Sequence, residues 1–182
     1  MNDDRARDAL ALAERVLAHA EREGASECEA LVMAEDAALT RFANSQIHQN
    51  VAETNVTINL RVAVGKRVGV ASSGRTDDEG IRRLAANAVA IARVVEELED
   101  WGGLPEPTPI EEVAVGYARD TAGASPELRA DGVRAVIAAA DAVGVTAYGS
   151  FSTGTETTAV ANSKGTRATE TRTVTPVRTP GS

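Results

Sequence analysis

Aromatic side chains are scarce: Phe, Trp and Tyr together make up 3% of the 182 residues. A core must therefore be packed from Ala, Val, Leu and Ile, and the 43% hydrophobic content supplies them in ordinary measure for a globular chain. Cysteine occurs once, as Cys28. One thiol excludes an intramolecular disulfide and any multi-cysteine zinc or iron–sulfur site. It suits a reducing compartment, so a cytoplasmic location is expected. Histidine is limited to His19 and His48. Lysine is limited to Lys66 and Lys164 among nineteen basic residues, which reads as codon composition. Positive charge is outweighed overall, with a net charge of −8 and a pI of about 4.9. A nucleic-acid or anionic-membrane surface needs clustered Lys and Arg, so neither contact is expected. No apolar run approaches the ~20 residues of a membrane span. The charged start, Asp3-Asp4-Arg5 with Arg7 and Asp8, lacks the apolar stretch of a secretory leader.

What is present is clear patterning. Leu10, Ala13, Val16, Leu17 and Ala20 form one stripe of a helix over 5–23, stopped at Gly24. Period-two alternation predicts strands over 27–35, 39–42, 47–51 and 54–64. Asn44-Ser45 is a turn pair, and Gly65-Lys66 suits a type II′ hairpin after which Val68 and Val70 would return on the apolar face. Thr76 and Glu79 have capping-box spacing ahead of a second helix, with Ile81, Leu84, Ala85, Ala88, Ala92, Val95 and Leu98 inward. Two helices on an antiparallel sheet make an α+β fold. Gly102 to Pro109 holds three prolines within five residues and cannot be regular structure. The expected organisation is a first α+β domain over 1–101, a Gly/Pro linker over 102–110, and a smaller helix-plus-strand module over 111–182. Residues 111–122 are weakly patterned. Ser125-Pro126-Glu127 starts a helix running to Ala142, with Leu128, Val133, Val136, Ile137 and Ala140 inward. Threonine-rich strands follow over 145–152, 155–161 and 166–175, with turns at Thr153-Gly154 and Asn162 to Gly165. The last of these strands has little to bury and looks like a piece that expects more protein.

Tests for chemistry find no self-contained active site. His19 and His48 lie on different elements, so they cannot chelate as a one-turn pair can. At most, His19 forms an exposed ion pair with Glu23. Cys28 alternates with apolar residues and reads as a structural thiol, because activation needs an adjacent base or cation. The run Gly149 to Gly154 does not match G-x-S-x-G. No phosphate-binding glycine loop occurs. Asp77-Asp78-Glu79 is explained by helix capping, and Glu96, Glu97, Glu99 and Asp100 by a solvated acidic helix end. Arg167, Arg172 and Arg178 sit on a strand and could meet acidic surface or a ligand carboxylate. No residue of the chain is assigned a catalytic, cofactor-binding or metal-ligating role. What remains is two β-rich modules whose edges can accept an extended chain by strand addition.

Four motifs in register resemble a known family. Arg41-Phe42-Ala43-Asn44-Ser45-Gln46-Ile47-His48-Gln49 is similar to the R-F-A-N-(G/N)-x-I-x-Q hairpin of TldD/PmbA proteins, PmbA also being called TldE. Leu60 to Ser72 is similar to the family's V-R-V-x-x-G-x-R-x-G-x-A-S hairpin. Thr76-Asp77 with the following Ala-rich helix, and the Ala161-Asn162-Ser163-Lys164-Gly165 turn, also fit. The resemblance implies a cytoplasmic metallopeptidase system acting on unfolded or precursor peptides, with an older label as modulator of DNA gyrase. It implies a TldD- or TldE-type subunit as partner in a homo- or heterodimer, and an extended peptide as substrate. Zinc is implied for the full-length family, on an H-E-x-x-x-H helix of TldD, where activated water attacks a peptide carbonyl with Glu as general base. That motif is absent from this sequence, so no family catalytic residue carries over. The expectation is the N-terminal, non-catalytic part of such a protein, ending before the metal-bearing domain and shaping the peptide groove and subunit contact. The alternative is a stand-alone peptide- or protein-binding regulatory module without peptidase activity.

Overall fold

The computed structural model describes residues 2–110 and 116–179. Part of the weakly patterned stretch (111–115) and the Pro180-Gly181-Ser182 end lie outside the described residues. The elements, in chain order, are helix α1 (Asn2–Arg22), strands β1 (Glu27–Ala43), β2 (Gln46–Val64) and β3 (Arg67–Ser73), helices α2 (Asp78–Val94), α3 (Arg119–Ala122) and α4 (Pro126–Asp141), and strands β4 (Gly149–Asn162), β5 (Arg167–Val174) and β6 (Val177–Arg178). The strands form an antiparallel sheet in the order β3-β2-β1-β4-β5, with β6 pairing β4. The fold is α+β, as the patterning predicts.

The described chain groups into two units, and four strands contribute to both. The first unit takes residues 1–34, 55–112 and 157–171. Its core joins the α1 stripe (Ala13, Val16, Leu17, Ala20) to Cys28, Ala30 and Val32 of β1, Ile58, Leu60 and Val62 of β2, and Ile81, Leu84, Ala88 and Ala92 of α2. Ala159 and Ala161 of β4 complete it. These are small and branched side chains at helix and strand periods, which is how a core closes without aromatics. Residues 102–110 carry no helix or strand. Glu27 holds this stretch by accepting the Leu104 amide at 2.7 Å and pairing with Lys164 at 3.1 Å.

Several details correct the sequence reading of this unit. The Gly65-Lys66 turn pairs Val64 with Arg67, so Val62 faces Gly69 and Arg61 faces Val70. Cross-strand partners share a face. Gly69 therefore lies on the core face, while Val68 and Val70 lie on the other, against expectation. The reason is α2: a Cβ at Gly69 would fall 2.2 Å from the Ala88 carbonyl oxygen and 2.6 Å from the Ala92 nitrogen. The N-cap of α2 is Asp77, whose carboxylate accepts from the Gly80 amide, and not Thr76. The helix ends at Val94. Glu96, Glu97, Glu99 and Asp100 thus lie beyond it, and Leu98 is exposed. Acidic groups are unfavourable at the negative helix end, and two adjacent valines favour extended backbone.

The second unit takes residues 35–54, 113–156 and 172–182. α4 has Ser125 as N-cap, with its hydroxyl accepting from the Leu128 amide, and Pro126 in the first turn, as expected. Val133, Phe42 and Ala147 form the buried centre, with Val136, Ile137, Ala140 and Phe151 packed around them. Leu128, expected inward, is 51% exposed, and its neighbour Arg129 is buried instead. The break expected between strands at Asp36 to Ala38 does not occur, nor does the one near Ala52, nor the turn at Thr153-Gly154. Thr54 donates to Asp36 across the hairpin at 2.5 Å, which keeps that pair extended. At Gly154 a Cβ would lie 2.6 Å from the Asp36 carbonyl oxygen. That glycine permits close approach inside a strand instead of marking a turn. Residues 145–148 are not strand.

Candidate functional site: an open strand edge and a buried arginine

β3 is the terminal strand of the sheet order, so one side of its backbone pairs with no other strand among the described residues. It is backed by α2 and held by seven register pairs to β2. Val70, 54% exposed, stands on the face away from α2. On that same face the Arg61 guanidinium pairs with Glu29 at 2.7 Å and stacks over the Trp101 ring at 5.9 Å. The other terminal strand, β5, is partly covered, because Thr173 donates its amide to the Gly116 carbonyl at 2.8 Å. β3 is met in the same way at its start, where Leu98 donates its amide to the Lys66 carbonyl at 3.0 Å and Glu97 pairs with Arg67 at 3.2 Å; beyond that start it is the more open edge, with polar and apolar groups beside it to read a partner's side chains.

Cys28 is fully buried, and desolvation pushes its thiol up to about 12, far from a nucleophile's range. His19 approaches Asp78 at 3.6 Å, not Glu23, because α2 starts beside α1. His48 is exposed on β2. Asp77 is held below the usual carboxylate range by hydrogen bonds from the Arg75 fork, and Glu79 by those from Arg82. Asp78 is lowered by its bond from Arg15. Arg167 meets Glu14 at 2.8 Å and Arg172 meets Glu156 at 2.5 Å, so both find acidic surface on this chain. Ser150 and Ser152 are half-buried strand residues. Among the described residues no three His, Cys, Asp or Glu side chains gather as a metal site. The zinc that the resemblance implies thus has no fitting donor set in them.

Sequence reasoning missed Arg129. It is 2% exposed, yet it forms no ion pair among the described residues. Its Nη1 donates to the Ala124 carbonyl and the Thr153 hydroxyl, both at 2.9 Å. Its Nη2 reaches only Asn50 Oδ1 at 3.5 Å, and its Nε has no partner. Desolvation pulls its pKa below the ordinary arginine value, with Glu127 opposing. Helix period held the signal: Arg129 stands four residues before Val133, on the stripe of Val136, Ile137 and Ala140, and Leu128 lies off it. The charge of the side chain argued for water and hid that signal.

Comparisons place this architecture among known proteins. Residues 28–92 match the family model described as PmbA/TldA metallopeptidase domain 1. No curated protein sequence matches. Among solved structures, TldE from Thermococcus kodakarensis superposes with a TM-score of 0.78 at 20% identity, over 89% of this chain and 37% of that one. A protein described as a candidate modulator of a DNA gyrase, from Thermotoga maritima, gives 0.70 at 13% identity, over 90% of this chain and 37% of that one. A protein of the same description from Bacteroides thetaiotaomicron gives 0.74 at 16% identity, over 90% and 38%. The chain thus spans little more than a third of the solved proteins it resembles, and at these identities the likeness establishes shared fold. The likeness to the PmbA/TldA metallopeptidase family is carried by residues 28–92, which match the model of its first domain.

Proposed function

We propose that this chain is the N-terminal, non-catalytic part of a TldD/PmbA-type metallopeptidase, and that it presents an extended peptide by strand addition at β3. The observation that carries the reading is the open backbone edge of a strand braced on its core face by α2. An extended peptide laid there gains main-chain hydrogen bonds whatever its sequence, and alternate side chains meet the Val70 and Arg61 face. That suits a system handling unfolded peptides of varied sequence. Bond cleavage and metal binding belong to other parts of such a protein, and a TldD- or TldE-type subunit is the proposed partner. The test is hydrogen exchange with an excess of an unstructured, hydrophobic peptide. Added protection at Arg67 to Ser73, about tenfold weaker peptide binding in Val70→Lys, and unchanged folding of that variant are expected. Protection elsewhere alone, or none, refutes the reading.

The competing reading is a stand-alone regulatory module. It draws support from the description given to two of the matched structures, candidate modulators of DNA gyrase. A gyrase supercoiling assay with added chain separates the two: a dose-dependent change without peptide binding favours the module.

A further inference from the structure

We propose that Arg129 is a carboxylate receptor: the Nε–Nη2 side of its guanidinium is a two-point site in the second unit, opened when the Asn50 side chain swings aside. The molecule itself shows what this side of an arginine binds. Arg75 grips Asp77 through Nε at 2.9 Å and Nη2 at 2.6 Å, and Arg82 grips Glu79 through Nε at 2.9 Å and Nη2 at 2.8 Å. Parallel N–H bonds from these two nitrogens match the two oxygens of a planar carboxylate. At Arg129 the other side is already in use, because Nη1 is anchored by Ala124 and Thr153. That anchoring fixes the plane of the fork and leaves Nε without an acceptor.

The cost of the arrangement is the second support. A buried charge without a counter-ion is destabilising, and proteins seldom retain one that nothing neutralises. Glu127 lies two residues away on α4, yet it forms no ion pair with Arg129 and is itself exposed. Among the described residues the one hydrogen-bond acceptor for Nη2 is the Asn50 amide oxygen at 3.5 Å, which the Thr40 hydroxyl also reaches at 3.5 Å. Both distances lie at the outer limit for a hydrogen bond. Asn50 is exposed, so its side chain can swing into solvent and be replaced by an incoming anion. The fully buried Thr40 hydroxyl then becomes a third donor. The chemistry defines the ligand as a carboxylate, supplied either by the C-terminus of a peptide or by an Asp or Glu side chain.

The test uses the whole 182-residue chain and the Arg129 Nε–H resonance in ¹⁵N NMR. The probes are acetate, an acetylated tri-alanine with a free C-terminus, acetyl-Ala-Glu-Ala-amide, a fully amidated neutral peptide, and inorganic phosphate. Saturable movement of the resonance with acetate and with at least one acidic peptide is expected, and none with the neutral peptide. The stronger of the two acidic peptides identifies the source. Asn50→Asp supplies the carboxylate from within. It should raise the melting temperature by about 3 °C, hold the new Asp well below the usual carboxylate range, and abolish the response to acetate. A motionless resonance with every carboxylate overturns the proposal, and so does a response to phosphate alone. An Asn50→Asp protein that melts no higher than wild type and still responds to acetate overturns it as well.

Discussion

Single residues set the tightest constraints on this molecule. Gly69 is one: any side chain there meets backbone atoms of α2, which cannot rotate away. Gly69→Ala is expected to cost about 1–3 kcal/mol, measured by urea unfolding, and to leave the Phe151 environment of the second unit unchanged. Cys28 is another. Its thiol is buried and titrates at about 12 when folded, against 9.0 as the ordinary value. Between those values the unfolded chain has lost a proton that the folded chain keeps. Stability is therefore full below about pH 9 and declines as pH rises, by up to about 1.4 kcal/mol per unit from this group. Cys28→Ala should flatten that alkaline decline in melting temperature. Thiol reagents at pH 8 should label Cys28 in denaturant and leave the native protein unmodified for hours. Cys28 was legible as a buried thiol from its alternation with apolar neighbours. The burial of Arg129 was not: its place four residues before Val133 puts it on the inward stripe, but a guanidinium is expected in water, and only the Thr153 hydroxyl and Ala124 carbonyl brought beside it let it stay inside.

At the scale of elements, the helix starts carry separable predictions. Ser125→Ala removes the hydroxyl that accepts from Leu128 and should lower stability by about 1 kcal/mol, read as a shift in the urea midpoint. Asp77, Asp78 and Glu79 crowd the start of α2 with pKa values held low, chiefly by arginine hydrogen bonds. A lowered carboxylate stabilises the fold above the unfolded pKa and loses that contribution as pH falls through the folded value. Melting temperature should thus drop below about pH 4, and Asp77→Asn should make the drop shallower; an unaltered acid limb would show the cap to be electrostatically neutral. The elements themselves were readable where period and caps agree: α1, α4, the two hairpin turns and the Asn162 to Gly165 turn. The strands proved longer than their own residues suggest. Weak formers such as Ala37, Ala38 and Gly154 are held extended by neighbours in the sheet, and a single-strand reading does not contain those neighbours.

At the scale of the whole molecule, the α+β class follows from sequence pattern, the solved structures that the chain resembles share the fold, and residues 28–92 match a family domain model. The edge at β3 predicts association behaviour. Peptide excess should compete with any self-association of the purified chain, monitored by light scattering across concentration, because both use an unpaired backbone edge. Zinc added to the isolated chain should bind without defined stoichiometry, and one tightly held ion per chain by metal analysis would contradict the proposed division of labour. No helix among the described residues is long and apolar enough to cross a membrane.

The sequence by itself determined the class of fold, the Ser125 cap of α4, the Asn44-Ser45, Gly65-Lys66 and Asn162 to Gly165 turns and the absence of familiar catalytic motifs, because these depend on local period and on residue types within a few positions. Tertiary structure alone decided three things: that Gly69 and not Val68 faces the core, that Gly154 passes through a strand, and that Arg129 lies buried beside Thr153 with half its fork unused. Each is a consequence of backbones or side chains brought together from distant positions, where steric fit and desolvation outweigh local preference.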